Sequence, residues 1–350
     1  MAATPTVHAH LHRPAISRQE LAFGWPHRVA AGLLVLLGAG FVTVTLAANL
    51  VNVGPAFDRL TDDFRPIMTQ QALRTDQQDI DTLAAAGSEI QTEMLPALAQ
   101  QLGMSADEFS TMMAEQYPDV TAGLAAVPQI TPSFTSLVAT LDEQRPYFAD
   151  ADAIPTESVP ATSVPWSLLT VGVLAAGLGV WVWYRPRGSA VAATVVGALL
   201  IAAPLALGMP DKAASADTMN ENLDPVYNQE LITQASGSLA TLSAMGTEMQ
   251  QSMMPDLAAR LQMSPEELNT FFAQNFPATT AALAALPDSL GRFQDMVARF
   301  DSSLDNYETL KPVSFEPIVW FMIGGGAALL LLGGAGVLIT WRTGSTPATT

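Results

Sequence analysis

The sequence of 350 residues predicts an all-α membrane protein in which four transmembrane helices carry two homologous extracytoplasmic helical-bundle domains. Three observations lead to this fold class. One segment of the chain occurs twice, four long stretches lack charged residues, and basic and acidic residues are concentrated in different segments. Together they indicate a tandem duplication of one unit, in which a span, an outer domain and a second span follow one another.

The repeated segment runs from Met94 to Pro128 and returns, without a gap, from Met253 to Pro287. At a constant separation of 159 residues, 17 of the 35 aligned positions are identical. Most of the other positions exchange residues of the same kind. Chance would give only a few identities, so the two segments are interpreted as internal homologues.

The four uncharged stretches have the length and composition of transmembrane helices. A hydrocarbon core needs about 20 consecutive apolar residues in helical form, and each stretch supplies them between flanking charges. A buried helix of a soluble protein is the alternative for any single stretch, but four stretches with such flanks favour a membrane. We therefore predict spans at residues 29–53, 166–184, 190–209 and 317–341.

The distribution of charge predicts the orientation of these spans. The segments 1–28, 185–189 and 342–350 hold six basic residues and one acidic residue. The first outer segment has a net charge of −13, and the second has −9 apart from one glutamate at its end. Because basic residues are retained on the cytoplasmic side near span ends, both tails and the short loop are predicted to be cytoplasmic. All six tryptophans lie at the predicted interfaces, where indole rings are favoured.

The two outer domains, at residues 54–164 and 210–316, are predicted to be wholly helical. In the first, Thr75 or Asp76 is the predicted cap of a long helix whose apolar residues recur at spacings of three and four. Pro96 falls inside that pattern, so we expect a kink or break there. No convincing stretch alternates polar and apolar residues, so no sheet is expected.

Caps and prolines mark the later helices of each outer domain. Ser105, followed three residues later by Glu108, forms a predicted capping box, and the second copy keeps the pair as Ser264 and Glu267. A short helix is predicted to open at Pro118, and a separate last helix follows it. Each outer domain is expected to be a bundle of four or five helices, and the sequence leaves open whether the two bundles pack together.

Composition excludes several kinds of site. The chain has no cysteine, which excludes disulfides, thiolate nucleophiles and cysteine-ligated metals. Its net charge of −18 argues against nucleic-acid binding, which needs a basic face. All four histidines lie between residues 8 and 27, in the predicted cytoplasmic tail, so no serine–histidine pair is expected in the outer domains.

Three of these histidines, His8, His10 and His12, alternate along the tail. Weak binding of a divalent metal is one interpretation, and an exposed tail without a folded ligand geometry is the favoured one. We assign no catalytic, cofactor-binding or metal-ligating residue, and no cofactor, from the sequence.

Met245, Met249 and Met253 lie on one face of a predicted helix. Thioethers can bind a soft ion such as Cu(I), but the first copy has Ala86 and Ile90 at two of the matching positions. Because isoleucine can replace methionine in a core and cannot replace it as a ligand, we interpret the three methionines as core residues.

The predicted spans are rich in small residues and contain no Asp, Glu, Lys, Arg or His. This composition argues against an ion-coupled transporter, which usually places ionisable groups at membrane depth. Small residues let helices approach closely. Close helix packing is therefore expected at Gly32, Gly38, Gly40, Gly172, Ala176, Gly179, Ala198, Ala202, Gly324, Gly325, Gly326, Gly333, Gly334 and Gly336.

These observations favour a non-catalytic, multi-pass protein of the plasma membrane with both termini in the cytoplasm. The expected role is an accessory, scaffolding or sensing subunit that presents two acidic outer domains, a layout that resembles the plan of bacterial sensory receptors. The alternative is a component of a membrane transport system for an apolar or lipid-like substrate. Expected partners are the lipid bilayer and other envelope or membrane proteins, with no nucleic acid, and the alanine-rich, lysine-poor composition favours a bacterial cell envelope.

Overall fold

The structure is a computed structural model that describes residues 18–156, 159–184, 186–225 and 227–344. Within these residues the chain forms helices and no strand. Its contacts divide it into two compact units. We call them the apolar unit, which takes in residues up to 49, 165–206 and from 320 onward, and the polar unit, which comprises residues 50–164 and 207–319.

Helices make up most of the described chain. In order, they are α1 (Arg18–Ala47), α2 (Leu50–Phe64), α3 (Gln70–Glu89), α4 (Leu95–Gln101), α5 (Ala106–Gln116), α6 (Pro118–Asp152), α7 (Ser163–Tyr184), α8 (Pro186–Ala206), α9 (Met209–Leu223), α10 (Gln229–Glu248), α11 (Met254–Leu261), α12 (Pro265–Asn275), α13 (Pro277–Leu310) and α14 (Phe315–Gly344). Two π-helical turns, π1 (Ile90–Met94) and π2 (Met249–Met253), continue α3 and α10.

By length and composition, four of the described helices could cross a membrane. Three of them, α1, α7 and α14, coincide with predicted spans. The fourth is α6, which lies within the first predicted outer domain. The span predicted at 190–209 corresponds to α8, which passes the same test only together with α9, as a pair bent by 57°. Helix α8 ends at Ala206, and the left-handed φ of 63° at Gly208 interrupts the remainder of that predicted span.

The first predicted span, 29–53, extends too far. Helix α1 ends at Ala47, and Asn49 has a φ of 53° before α2 begins at Leu50. Asparagine adopts this left-handed conformation more readily than most residues. Gly208, 159 positions later, has a φ of 63°, so the chain turns at the corresponding place before each half of the polar unit.

Glycines bring the helices of the apolar unit together in two pairs. A Cβ on Gly38 of α1 would lie 2.5 Å from the carbonyl oxygen of Gly172 on α7. A Cβ on Gly197 of α8 would lie 2.6 Å from the carbonyl oxygen of Gly326 on α14. Only a residue without a side chain permits such distances. Small residues therefore pack α1 on α7 and α8 on α14. Four other glycines for which close packing was predicted face open space instead, namely Gly32, Gly40, Gly324 and Gly334.

The two helix pairs correspond position by position. The separation is 159 residues between α1 and α8, and 154 residues between α7 and α14, because the connection that leads into α14 is five residues shorter. The corresponding contact glycines are Gly38 and Gly197, Gly172 and Gly326, and Gly179 and Gly333.

Helices α2 to α6 of the polar unit likewise have counterparts in α9 to α13. Each begins 159 residues before its counterpart, and each ends within one residue of that separation. The π-helical turns and the two capping boxes keep the same separation. In both boxes the serine hydroxyl accepts from the backbone of the glutamate three residues later, and that carboxylate accepts from the serine N–H, which confirms the prediction.

The short helix predicted to open at Pro118 and the separate last helix are in fact one helix, α6. Pro128, Pro132 and Pro146 lie within it. Each proline removes a backbone hydrogen bond, but all three are exposed. Buried residues continue at spacings of three and four on the opposite side, so packing along that face maintains the helix past its prolines.

Helix α3 begins earlier than predicted. Its N-cap is Thr69, whose hydroxyl accepts from the N–H of Ala72 at 3.1 Å. The Thr75 hydroxyl instead donates to a backbone carbonyl of the same helix, and Asp76 is buried. The first turn contributes two glutamines and an alanine, so hydrophobic periodicity gives little indication of it.

The break expected near Pro96 takes the form of π1, which lies one turn ahead of that proline. Pro255 follows π2 in the same way. Proline cannot donate to the helical ladder. A wider π-helical turn is a common way to accommodate such an interruption, and here the helix changes its hydrogen bonding without ending.

The two predicted outer domains pack together as the polar unit. Helix α3 packs against both α6 and α13, and its counterpart α10 packs against both α13 and α6. Helix α2 packs against α13, and α9 packs against α6. Each long helix therefore contacts elements of both halves, and the contacts are reciprocal, as in an interface formed by two copies of one surface.

Two glutamates show this reciprocity at the level of hydrogen bonds. Glu89, at the end of α3, accepts from the N–H groups of Ala278 and Thr279, at 3.2 and 2.6 Å, in the first turn of α13. Glu248, at the end of α10, accepts from the N–H of Val120 at 2.8 Å, in the first turn of α6. A helix N-terminus has unsatisfied N–H groups and a partial positive charge. Each half thus caps the long helix of the other.

Other side-chain contacts between the two halves show the same reciprocity. The rings of Phe134 and Phe293, residues 159 positions apart, contact each other edge to face with their centroids 5.1 Å apart. The Ser303 hydroxyl donates to Asp63 at 2.6 Å. At the corresponding place, the Asn222 amide donates to Gln144 at 3.3 Å.

Replacing Gly38 by alanine should destabilise the apolar unit by about 1–3 kcal/mol, the usual cost of overpacking. The added Cβ would collide with backbone atoms of α7, which cannot move aside as a flexible side chain could. The matched control is Gly40→Ala, where nothing lies within 4 Å. Thermal unfolding of the full chain in a mild detergent measures both. Equal melting temperatures for the two variants would contradict the packing assigned to α1 and α7.

Replacing Glu89 by alanine should destabilise the polar unit by about 1–2 kcal/mol, because two N–H groups of α13 lose a charged acceptor. Glu248→Ala should act similarly at α6. Glu93→Ala, at an exposed position one turn beyond Glu89, is the control and should have little effect. The measurement is thermal unfolding of the full chain. If Glu93→Ala lowered the melting temperature as much as Glu89→Ala does, the capping contacts would be unimportant for stability.

Candidate binding cleft

A cleft of about 790 Å³ lies between α6, α10 and α13 of the polar unit. Residues of α6 between 126 and 137 form one side of it, and residues of α10 between 231 and 241 form the other. Two residues of α13, Val297 and Phe300, complete the lining. The cleft has the size of a small-molecule site, since such sites typically enclose about 300–1,000 Å³.

The floor of the cleft is apolar. Ile130 and Phe134 lie one turn apart on α6, so they share a face. Ile232 on α10 and the α13 residues Val297 and Phe300 join them. All five side chains are at most 8% exposed, which makes the floor part of the core where three helices meet.

The rim of the cleft is polar and uncharged. It is formed by hydroxyl and amide side chains, namely Gln129, Ser133, Ser136, Gln234, Ser238 and Thr241. No residue of the lining is titratable, although the polar unit as a whole is strongly acidic. The cleft can therefore hold a molecule by apolar contact and neutral hydrogen bonds, and its own lining offers no acid, base or ionised nucleophile.

The equivalent place of the polar unit, between α3 and α13, is occupied by charged side chains. Positions 133 and 238 of the cleft rim correspond, 159 residues away, to Arg292 and Asp79. The Arg292 guanidinium donates to the Asp79 carboxylate, with Nε and Oδ2 separated by 2.9 Å. The Asp79 side chain is only 11% exposed. An ion pair thus occupies the place that corresponds to the two serines of the cleft, one on α6 and one on α10.

A third position differs in the same sense. Ala235 of the cleft lining corresponds to Asp76, which is 3% exposed. The pKa of Asp76 is raised from 3.8 to about 6, chiefly by burial and then by the negative charge of Asp79, while the positive charge of Arg292 opposes both effects. The place between α3 and α13 therefore holds two carboxylates and a guanidinium where the cleft has two hydroxyls and a methyl group.

None of the cleft residues was predicted from the sequence. Neither half alone has an unusual motif there, because serines and glutamines on a helix are ordinary surface residues. A signal is nevertheless present when the two halves are aligned at a separation of 159 residues, since the positions that match Asp79 and Arg292 both hold serine. Both partners of the ion pair are absent from the cleft together, so neither charge is left there without the other.

The methionines interpreted as core residues are buried. Met245, Met249 and Met253 are at most 5% exposed, and Met245 contacts the position of Gly123 so closely that a Cβ there would lie 2.5 Å from its sulfur. Among the described residues, no cluster of His, Cys, Asp and Glu could hold a metal ion. His8, His10 and His12 lie outside the described residues.

Several acidic residues have structural roles that the sequence did not indicate. Asp58 accepts from the N–H groups of Ala161 and Thr162, at 2.7 and 3.0 Å, just before α7. Asp217, its counterpart, accepts from the N–H groups at the start of α14, at 2.7 and 2.9 Å. These carboxylates fix where both helices begin. Counting them as ordinary solvent-exposed acids would overlook this structural role.

Replacing Asp76 by asparagine should stabilise the protein above pH 6 by roughly 1–3 kcal/mol. The raised pKa of Asp76, about 6 against 3.8 in the unfolded chain, means that its ionised form is costly in the folded state. The advantage of the variant should shrink as the pH falls from 6 and vanish only below about pH 3, where both states carry the neutral acid. Melting curves across this range test it, with the exposed Asp81→Asn as control. The melting temperature of the variant minus that of the wild type should be larger at pH 8 than at pH 4. An equal difference at the two pH values would contradict this assignment.

The chain matches no protein-family model, no curated protein and no solved structure. What the protein does must therefore be inferred from its own residues and their arrangement.

Proposed function

We propose that this chain is a non-catalytic, multi-pass membrane protein that serves as an accessory, scaffolding or sensing subunit. In this proposal, α1, α7, α8 and α14 span the plasma membrane of a bacterial cell envelope, and the polar unit lies outside the cytoplasm. Both termini and the connection at 185–189 lie inside. The reciprocal capping of α6 and α13 by Glu248 and Glu89 is the observation that carries the proposal, because it joins two acidic domains into one platform.

A tandem duplication explains the constant separation of 159 residues. It accounts for the matched helix bounds and for the paired positions of Gly38 and Gly197. It also favours α8 over α6 as the third span. Helix α8 packs on α14 as α1 packs on α7, whereas α6 packs against α3, α9 and α10 of the polar unit.

The composition of α6 supports the same choice. Its most apolar 18-residue window has a mean hydropathy of 1.2, against 2.3 for α1 and 2.0 for α14. Its last third carries Asp142, Glu143, Arg145 and Asp150. Charged residues at membrane depth are costly, so a helix with these residues is better suited to the polar unit than to a bilayer.

A basic residue and an indole meet where the proposal places the cytoplasmic interface. The Arg28 guanidinium lies 5.5 Å from the centre of the Trp183 ring. Arginine and tryptophan are both favoured at the headgroup level, and the cytoplasmic side retains basic residues. The contact also brings the start of α1 next to the end of α7, as two consecutive spans require.

A non-catalytic role agrees with the chemistry available in the polar unit. The histidines of the chain all precede residue 28, and there is no cysteine. The cleft lining contains no titratable group. An assembly role is favoured instead, with other envelope or membrane proteins as partners and no nucleic acid. The alternative, a part of a transport system for an apolar or lipid-like substrate, is favoured by the apolar floor of the cleft.

Single cysteines test the proposed topology in a chain that has none of its own. We expect cysteines at Ser110 and Asn269, both exposed in the polar unit, to react with an impermeant thiol reagent on intact cells. A cysteine at Ser189 should react only after the membrane is permeabilised. Labelling at Ser189 alone on intact cells would reverse the orientation, and labelling at all three sites would exclude a four-span arrangement.

Reconstitution in liposomes distinguishes the proposed accessory or sensing function from the transport alternative. An accessory or sensing subunit should not accelerate movement of a fluorescent neutral lipid between leaflets, whereas a transport component should. The Glu89→Ala variant with Glu248→Ala gives the matched control, because it loosens the polar unit and leaves the spans unchanged. If the wild type accelerates lipid movement between leaflets and the double variant does not, the transport alternative is favoured over the proposed function.

A further inference from the structure

We propose that the cleft between α6, α10 and α13 binds one neutral amphipathic molecule, a medium-length acyl chain with an uncharged, hydroxyl-bearing head of the monoacylglycerol kind. The acyl chain lies on the apolar floor, and the head lies at the polar rim. This inference goes beyond the proposed function, since neither anchorage nor assembly requires a small-molecule site.

The shape of the cleft favours a chain-like ligand. Its two sides follow α6 from Ala126 to Leu137 and α10 from Leu231 to Thr241. At 1.5 Å per residue, each side is roughly 15 Å long. A site of about 790 Å³ drawn out over that length is elongated, and an extended hydrocarbon chain fits an elongated site better than a compact ring system does.

The floor supplies apolar contact for such a chain. Phe134 and Phe300 contribute aromatic rings, and Ile130, Ile232 and Val297 contribute branched aliphatic side chains. Leu231, at one side of the cleft, is 40% exposed. Covering this residue would remove apolar surface from water, which is favourable in proportion to the area covered.

The rim selects an uncharged head. Ser133, Ser136 and Ser238 can each donate and accept a hydrogen bond, and the amides of Gln129 and Gln234 can do the same. No arginine or lysine lines the cleft to neutralise a carboxylate or phosphate. The acidic polar unit would repel an anion, and no lining carboxylate would pair with a cation.

The equivalent place between α3 and α13 indicates that the cleft is not an unavoidable gap in this fold. There, Arg292 and Asp79 form an ion pair at the positions of Ser133 and Ser238, and Asp76 takes the position of Ala235. The same helix arrangement can therefore be filled by side chains. In the cleft these positions carry two serines and an alanine, which leaves open space above the floor.

Photolabelling of the full chain tests the site. The probe is a monoacylglycerol with a diazirine in its chain, added to the protein in lipid nanodiscs and followed by mass spectrometry of the crosslinked peptides. We expect labelling within 126–137 and 231–241. An excess of unmodified monoacylglycerol should suppress it. Labelling spread evenly over the apolar unit, with none in these two segments, would overturn the proposal.

The chain itself provides the blocking variant. Ser133→Arg combined with Ser238→Asp copies the Arg292–Asp79 ion pair into the cleft, and labelling should fall by about tenfold or more. Ser110→Arg combined with Asn269→Asp adds the same charges at exposed positions elsewhere and should label like the wild type. Undiminished labelling of the blocked variant would overturn the site.

The reverse variant keeps the test decisive if the blocked variant folds poorly. Asp76→Ala, Asp79→Ser and Arg292→Ser together copy the cleft into the equivalent place between α3 and α13. A second labelled region should then appear within 72–82 and 285–296, with the first retained. No new labelling, in a variant that melts as a folded protein, would show that these positions do not determine binding.

A competitor of different charge tests the assigned head group. The free fatty acid of the same chain length is an anion, and it should need about tenfold or more higher concentration than the monoacylglycerol to suppress labelling. Equal competition by the two would overturn the neutral head while leaving an acyl-chain site.

Discussion

The capping of each long helix by a carboxylate from the opposite half is the interaction on which the polar unit depends. Helices α6 and α13 both begin with proline, and their next N–H groups lie where several helices meet. Groups in that position need an acceptor. Because Glu248 and Glu89 provide it across the boundary between the halves, neither half can complete its longest helix alone.

The features that could be predicted from the sequence are local or periodic. The capping boxes at Ser105 and Ser264 follow from two residues three positions apart, and the structure contains both. Long apolar stretches identified α1, α7 and α14, and the repeat implied matching helices in the two halves. These signals work because a few neighbouring side chains determine each of them.

The features that could not be predicted depend on contacts distant in sequence. Helix α6 continues past Pro128 because its opposite face is buried, and burial is not visible in a window of sequence. Glu89 looks like any surface acid until α13 is brought to it. The cleft exists because side chains are small at three separate positions, including Ser133 and Ser238, and no local rule relates residues on different helices.

The difference between the two halves at Ser133 and Arg292 has a consequence for how such a protein could arise. Two identical chains joined by the same reciprocal contacts would form a homodimer, in which every position occurs twice in the same surroundings. That homodimer would have two clefts or two ion pairs. Joining both copies in one chain, as the proposed duplication does, lets one of the two equivalent places stay charged and closed while the other, between α6 and α10, opens. Covalent linkage thereby permits one binding site per molecule where symmetry would impose two.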